Sequence, residues 1–109
     1  MASAVPPELS PEAREAALAK AAHARQVRAD LKEELKTGSL VMSDVLQRAE
    51  FDDYVARIKV LTLLEALPGV GKVKARRTLE SIGIAESRRI QGLGSNQRRE
   101  LLDIFEPRS

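Results

Sequence analysis

The sequence predicts an all-α protein in which a long N-terminal helix precedes a compact helical domain with two glycine turns. Three observations predict it. Apolar residues recur at helical spacing from Ala24 to Phe105, no stretch alternates apolar and polar residues long enough for a strand, and the breaks between segments carry helix start and stop signals. A length of 109 residues suits one domain plus an arm. Apolar residues are 43% of the chain, nearly all aliphatic, and Phe51, Tyr54 and Phe105 are the only aromatics. The core must therefore be small and aliphatic.

The elements follow in order. Residues 1–9 hold two prolines and no periodicity, which predicts a disordered leader. Ser10-Pro11-Glu12 supplies a capping hydroxyl, a proline at the first helical position and an acid in the first turn. A helix over residues 11 to about 36 follows, ended by Thr37-Gly38, so that 10–38 forms the arm and 39–109 the domain. Ala24, Val27, Leu31 and Leu35 form its apolar stripe, while the alanine-rich first half has little to bury and should project. A shorter helix over 39–49 turns Leu40, Val41, Val45 and Leu46 inward, and Phe51-Asp52-Asp53-Tyr54 opens a short element or turn. Val55, Ile58, Val60, Leu61, Leu64 and Leu67 describe one helix leading into Pro68-Gly69. The next, over 72–82, carries Val73, Ala75, Leu79 and Ile82 and stops at Gly83. Ser95 is the expected N-cap of a last helix over 96–105, with Leu101, Leu102, Ile104 and Phe105 buried.

The chemistry concentrates at two of these junctions. Pro68 and Gly69 end one helix, Gly71 lets the chain turn, and the next helix starts with free amide N–H groups beside Lys72 and Lys74. Such a helix start attracts phosphate. Gly92-Leu93-Gly94-Ser95 repeats the arrangement, preceded by Ser87, Arg88, Arg89 and Gln91. Each arginine can clamp a phosphate with its planar fork, the alternative being an ion pair with Glu86 or another acid. A nucleotidase P-loop would need Gly where Ala66 stands and Ser or Thr at Val73, and a dinucleotide fingerprint would need a third glycine after a strand.

Net charge is only +2, but it is unevenly spread. Residues 1–56 hold 7 basic and 10 acidic side chains; residues 57–99 hold 10 basic against Glu65, Glu80 and Glu86. A concentration of this kind points to a polyanionic partner, and the scarcity of aromatics argues against single-strand recognition by base stacking. On the arm, Arg14, Arg25, Arg28 and Lys32 fall within roughly 60° of one another, either as a second phosphate-touching face or as a solvated face laced with ion pairs. His23, the only histidine, is expected to be inert. Zero cysteines remove disulfides and thiolate metal sites, which suits a reducing cytosol, and neither a signal peptide nor a membrane span is recognisable. No catalytic constellation, metal cluster or cofactor site is recognisable either.

Gly69-Val70-Gly71 followed by Ala75 resembles the helix-hairpin-helix turn of DNA-binding proteins, and two such turns resemble the helix-two-turns-helix arrangement. That arrangement occurs in a small-subunit ribosomal head protein and in formamidopyrimidine-type DNA glycosylases. The runs Ile58-Lys59-Val60, Leu63 to Val73, Ser87-Arg88-Arg89-Ile90 and Gly92 to Gln97 most resemble actinobacterial integration host factor, with the likeness extending over about residues 9–106. The resemblance implies a monomeric, non-enzymatic, nucleoid-associated protein of the cytoplasm. Such a protein binds double-stranded DNA with little sequence preference, bends or compacts it, influences supercoiling and assists phage integration. A phage integrase or a topoisomerase acting on the same DNA is an implied partner. DNA contacts would fall on Gly69, Val70, Gly71, Lys72, Lys74, Ser87, Arg88, Arg89, Gln91, Gly92 and Gly94, with a second contact on the arm. Family members often carry a basic residue where Gln91 stands, so that contact is weaker or neutral here. The competing expectation is a ribosome-associated RNA binder, although the chain lacks the long basic tail typical of the ribosomal family. A glycosylase would need an N-terminal proline and zinc-binding cysteines that this sequence does not have.

Overall fold

The computed structural model describes residues 10–106, so the leader expected over 1–9 and the last three residues lie outside it. The described chain is helical: α1 (Pro11–Thr37), α2 (Met42–Arg48), α3 (Asp53–Ala56), α4 (Val60–Ala66), α5 (Gly71–Ile82), a single 3-10 turn (Ile90–Gly92) and α6 (Ser95–Phe105). Among these residues extended pairing is limited to one isolated bridge between Lys59 and Arg89.

Capping chemistry sets most of the boundaries. Ser10 Oγ accepts a hydrogen bond from the Ala13 N–H at 3.1 Å, Pro11 starts α1, and Gly38 closes it with φ 82°. At 27 residues the helix is about 40 Å long at 1.5 Å per residue. Residues 11–23 are exposed throughout, and only the second half docks, through Leu31 and Leu35. Ser39, expected to open the next helix, instead donates its hydroxyl to the Glu34 carbonyl and so helps finish α1. The cap of α2 is Val41, whose N–H is bound by Asp44 Oδ2 at 3.0 Å, which leaves the Val41 side chain outside and buries Met42 in its place.

Glu106 joins the end of α6 to the start of α2: Oε1 accepts from the Ser43 N–H at 2.6 Å and Oε2 from the Ser43 hydroxyl at 2.9 Å. A carboxylate on free amides at a helix N-terminus is favourable in both hydrogen bonding and dipole sense.

The helix expected from Val55 to Leu67 is broken. Asp52 caps α3 through its bond to the Tyr54 N–H, the chain leaves the helix at Arg57, and it resumes at Val60. In the gap, the Ile58 carbonyl accepts from the Ile90 N–H and the Val60 N–H donates to the Arg88 carbonyl, each at 2.9 Å. Helical spacing survives the break because Val55, Ile58, Val60 and Leu64 all still point into the core. Helix α5 ends on Gly83, where Gly83 N–H bonds the Glu80 carbonyl and Ile84 N–H that of Leu79, burying Ile84.

One aliphatic cluster joins all the elements. Leu35, Met42, Val45, Val55, Val60, Leu63, Leu64, Leu79 and Leu101 are its fully buried members, and none is aromatic. Besides Val41, two expected members are absent: Val73 is 63% and Ile104 45% exposed. Thr78 takes the inward place on α5, its hydroxyl satisfied by the Lys74 carbonyl at 2.8 Å. Because Leu35 lies where α1 meets this cluster, Leu35→Ala should cost about 2–5 kcal/mol, read as a lower urea midpoint in equilibrium unfolding.

Candidate nucleic-acid interface

The first turn is a tight bend with Pro68 and Gly69 at its centre, closed by the Val70 N–H on the Leu67 carbonyl at 3.2 Å. Proline before a glycine of φ 75° is the signature of a type II turn. Gly71 follows at φ 70° and is the first residue of α5, one earlier than expected. Two left-handed residues around a right-handed Val70 curl the main chain; the Val70 N–H is used within the turn, and the amides at the start of α5 are the donors left for an anion. A Cβ on either glycine would meet nothing within 4 Å, so backbone conformation alone demands glycine and the space above the turn is open. Lys72 and Lys74 are exposed beside it; the Val70 side chain is buried, leaving only its main chain to face a ligand.

The second turn is organised by one arginine. Arg88 Nη1 donates to the Gly92 carbonyl at 2.8 Å and to Gln97 Oε1 at 3.3 Å, and the same Oε1 accepts from the Gly94 N–H at 3.0 Å. Gly94 is thereby the N-cap of α6 and Ser95 its first residue, correcting the expectation that Ser95 capped it. The Arg88 stem lies across Gly92 so closely that a Cβ there would fall 2.8 Å from Arg88 Cδ. Gly92 thus meets a steric demand where Gly69 and Gly71 meet a conformational one. Ser87, Gln91, Gly92 and Gly94 are all exposed.

Arg88 and Arg89 do not act as a matched pair. The chain is extended at Arg89 (φ −93°, ψ 161°), so adjacent side chains leave on opposite sides. Arg88 folds over the turn, while Arg89 faces a cleft of about 500 Å³ that also receives Arg28 and Lys32 from α1. Neither pairs with Glu86, which instead bonds Arg76 at 3.4 Å. The arm cations therefore divide: Arg28 and Lys32 sit beside the domain, whereas Arg14 and Arg25 stay on the exposed face of α1. Ion pairs within the described arm face do not account for them; Gln26 bonds Asp30 there, and the three ion pairs among described residues use Arg48, Arg76 and Arg98. His23 is not idle: its ring stands edge-on to Tyr54 with centroids 4.5 Å apart, fastening the middle of α1 to α3.

Residues 35–105 match a family model described as an S13-like H2TH domain. Integration host factor of Mycobacterium tuberculosis is 50% identical over 99 residues, covering 91% of this chain and 94% of that one. The protein of that name from Streptomyces coelicolor is 51% identical over 91 residues, covering 84% and 85%. The chain belongs to the actinobacterial integration host factor family. The fold is also similar, at a TM-score of 0.77 and 46% identity, to a solved structure of sIHF bound to an 8-bp palindromic DNA; the match covers 79% of this chain and 97% of that one.

In this family member sequence reasoning missed three residues at the site. Gln97 was legible in principle, because a Gln three positions after an N-cap marks a capping box. Arg57 and Lys59 were hidden by the assumption of a continuous helix, which spreads them around its surface; the break gathers both at the cleft. Among the described residues no group of three or more His, Cys, Asp or Glu side chains could hold a metal ion, and no helix is long and apolar enough to cross a membrane.

The two kinds of glycine should respond differently to a methyl group. Gly69→Ala or Gly71→Ala should cost about 1–2 kcal/mol of stability, measured by urea unfolding. Gly92→Ala should leave stability nearly intact but drive Arg88 off the Gly92 carbonyl, seen as altered Arg88 side-chain N–H signals by NMR.

Proposed function

We propose that this protein binds double-stranded DNA through its phosphate backbone, with little sequence preference, and acts as a nucleoid-associated architectural protein. In this reading residues 39–109 are the DNA-binding domain and 10–38 the arm. The observation that carries it is the pair of open glycine turns at helix starts, on a fold closely similar to one solved with DNA. The electrostatics support it: residues 57–99 carry 10 basic and 3 acidic side chains. Few large side chains at the turns could read base edges, so phosphate contacts dominate and specificity stays low.

Main-chain amides of Gly69 and Gly71, on the bend that the Val70 N–H closes, take one strand's phosphates together with Lys72 and Lys74. Ser87 and Arg88 take the other strand across the minor groove, where Gly92 and Gly94 let the backbone come close without side chains and Gln91 is a neutral hydrogen-bonding neighbour. Arg88 keeps its Nε and Nη2 edge for phosphate while Nη1 holds the turn. Arg89, with Arg14, Arg25, Arg28 and Lys32, offers a further basic face, so one monomer can hold two stretches of duplex or bend one. The reading extends, through the family likeness, to bending and compaction, an influence on supercoiling, and assistance to a phage integrase or a topoisomerase on the same DNA; the two basic faces support the first of these. Cytoplasmic residence on the nucleoid follows from the substrate.

The test is binding to random duplex DNA over a range of salt. Log affinity should fall linearly with log salt, with a slope reporting several phosphate contacts, and Arg88→Ala/Arg89→Ala should flatten it by about two. An unchanged slope in the double variant would remove both arginines from the interface, and preference for an RNA duplex in competition would favour the ribosomal reading.

A further inference from the structure

We propose that the cleft between α1 and the α3–α4 link, where part of that further basic face meets Arg57 and Lys59, is a site for linked phosphate groups centred on those two residues. Its ionic lining is Arg28, Lys32, Arg57, Lys59 and Arg89 against a single carboxylate, Glu65. All five cations are exposed, and none takes part in the three ion pairs among the described residues. The cleft's volume of about 500 Å³ exceeds the needs of one small anion and falls within the ordinary range of ligand sites. It therefore suits a run of phosphates.

The register of the 58–60/88–90 bridge makes the case independently of the count of charges. The two hydrogen bonds join Ile58 to Ile90 and Val60 to Arg88, so Lys59 and Arg89 are the directly opposed, non-hydrogen-bonded pair. In that pairing Cα atoms approach to about 4.5 Å and side chains leave on the same face. Ile58, Val60 and Ile90 point the other way into the core, so the register cannot slip without exposing them. Two like charges are consequently held side by side by the backbone, an arrangement that destabilises a sheet pair on its own. An anion seated between them reverses the sign. Arg28, Arg57 and Arg89 present planar forks that match paired phosphate oxygens, and the hydroxyls of Tyr54 and Thr62 on the wall add neutral donors.

The shared chemistry is a chain of phosphates, supplied either by the backbone of a bound duplex or by a free oligophosphate. The duplex source rests on the function proposed above; the free source does not. The discriminating variant is Arg57→Gln/Lys59→Gln, compared with the wild-type chain in two assays. In the first, inorganic tripolyphosphate is titrated while the amide signals of Ile58, Lys59 and Arg89 are followed by NMR. Saturable shifts in the wild type, weakened at least tenfold in the variant, are expected. In the second, the salt slope for random duplex should fall by about two in the variant. Loss of tripolyphosphate binding with an unchanged duplex slope would still support the site and assign it to a free oligophosphate. No effect in either assay would overturn it. In low-salt, phosphate-free buffer the variant should melt at or above the wild-type temperature, because repulsion has been relieved; a lower melting temperature would mark Arg57 and Lys59 as structural and also overturn it. Failure of the wild type to bind duplex at all would defeat the proposed function while leaving the tripolyphosphate result to judge the cleft.

Discussion

Two backbone hydrogen bonds, Val60 N–H to the Arg88 carbonyl and Ile90 N–H to that of Ile58, hold the segment before the second turn against the segment leading to the first. Each contributes about 0.5–1.5 kcal/mol net, modest beside the aliphatic core. Their importance is geometric. The connection from Gly83 to Gly94 has one single-turn 3-10 element and would otherwise be anchored mainly through Ile84, Ile90 and the half-buried Leu93. Pairing with the α3–α4 link fixes its register and direction. It also decides which of two neighbouring arginines faces α6 and which faces α1.

From that constraint the rest of the surface follows. The first turn needs no side-chain brace, since Pro68 and two left-handed glycines determine its backbone locally. The second has no left-handed residue and is shaped from outside, by the Arg88 guanidinium reaching the Gly92 carbonyl and by Gln97. Both leave helix-start amides exposed, by different means. One is a property of the main chain, robust to changes around it; the other is a side-chain assembly that depends on Arg88, Gly92 and Gln97 together. Electrostatic preference is then supplied by exposed lysines and arginines whose attraction for a polyanion weakens as salt rises.

Much of this was legible in the sequence because it is local. Ser10-Pro11-Glu12, Gly38, Pro68-Gly69 and Gly83 punctuate helices by capping and φ preference, and the structure places helix ends at or beside each. What was not legible depends on contacts between distant segments. Val55 to Leu67 has helical spacing throughout, yet Ile58 and Val60 are drawn into pairing with the 88–90 segment, and periodicity carries no trace of it. Ser39 and Ser95 are good capping residues passed over in favour of Val41 and Gly94, because Asp44 and Gln97 reach back to those N–H groups. His23 looked solitary until α3 brought Tyr54 beneath it. At the candidate site the residue types were readable and their directions were not, since Arg88 and Arg89 are chemically identical and diverge only through extended backbone geometry.

The exposed outer half of α1 has a consequence for how the molecule behaves as a mechanical object. Residues 11–22 are exposed, and their order comes from alanine-rich helix propensity and the Ser10 cap. Isolated helices of that length are marginal, so the tip can melt and re-form without disturbing the core. Beyond the His23–Tyr54 contact the chain is thus a retractable spoke, whose reach is tuned by local helix stability independently of the hub that carries it.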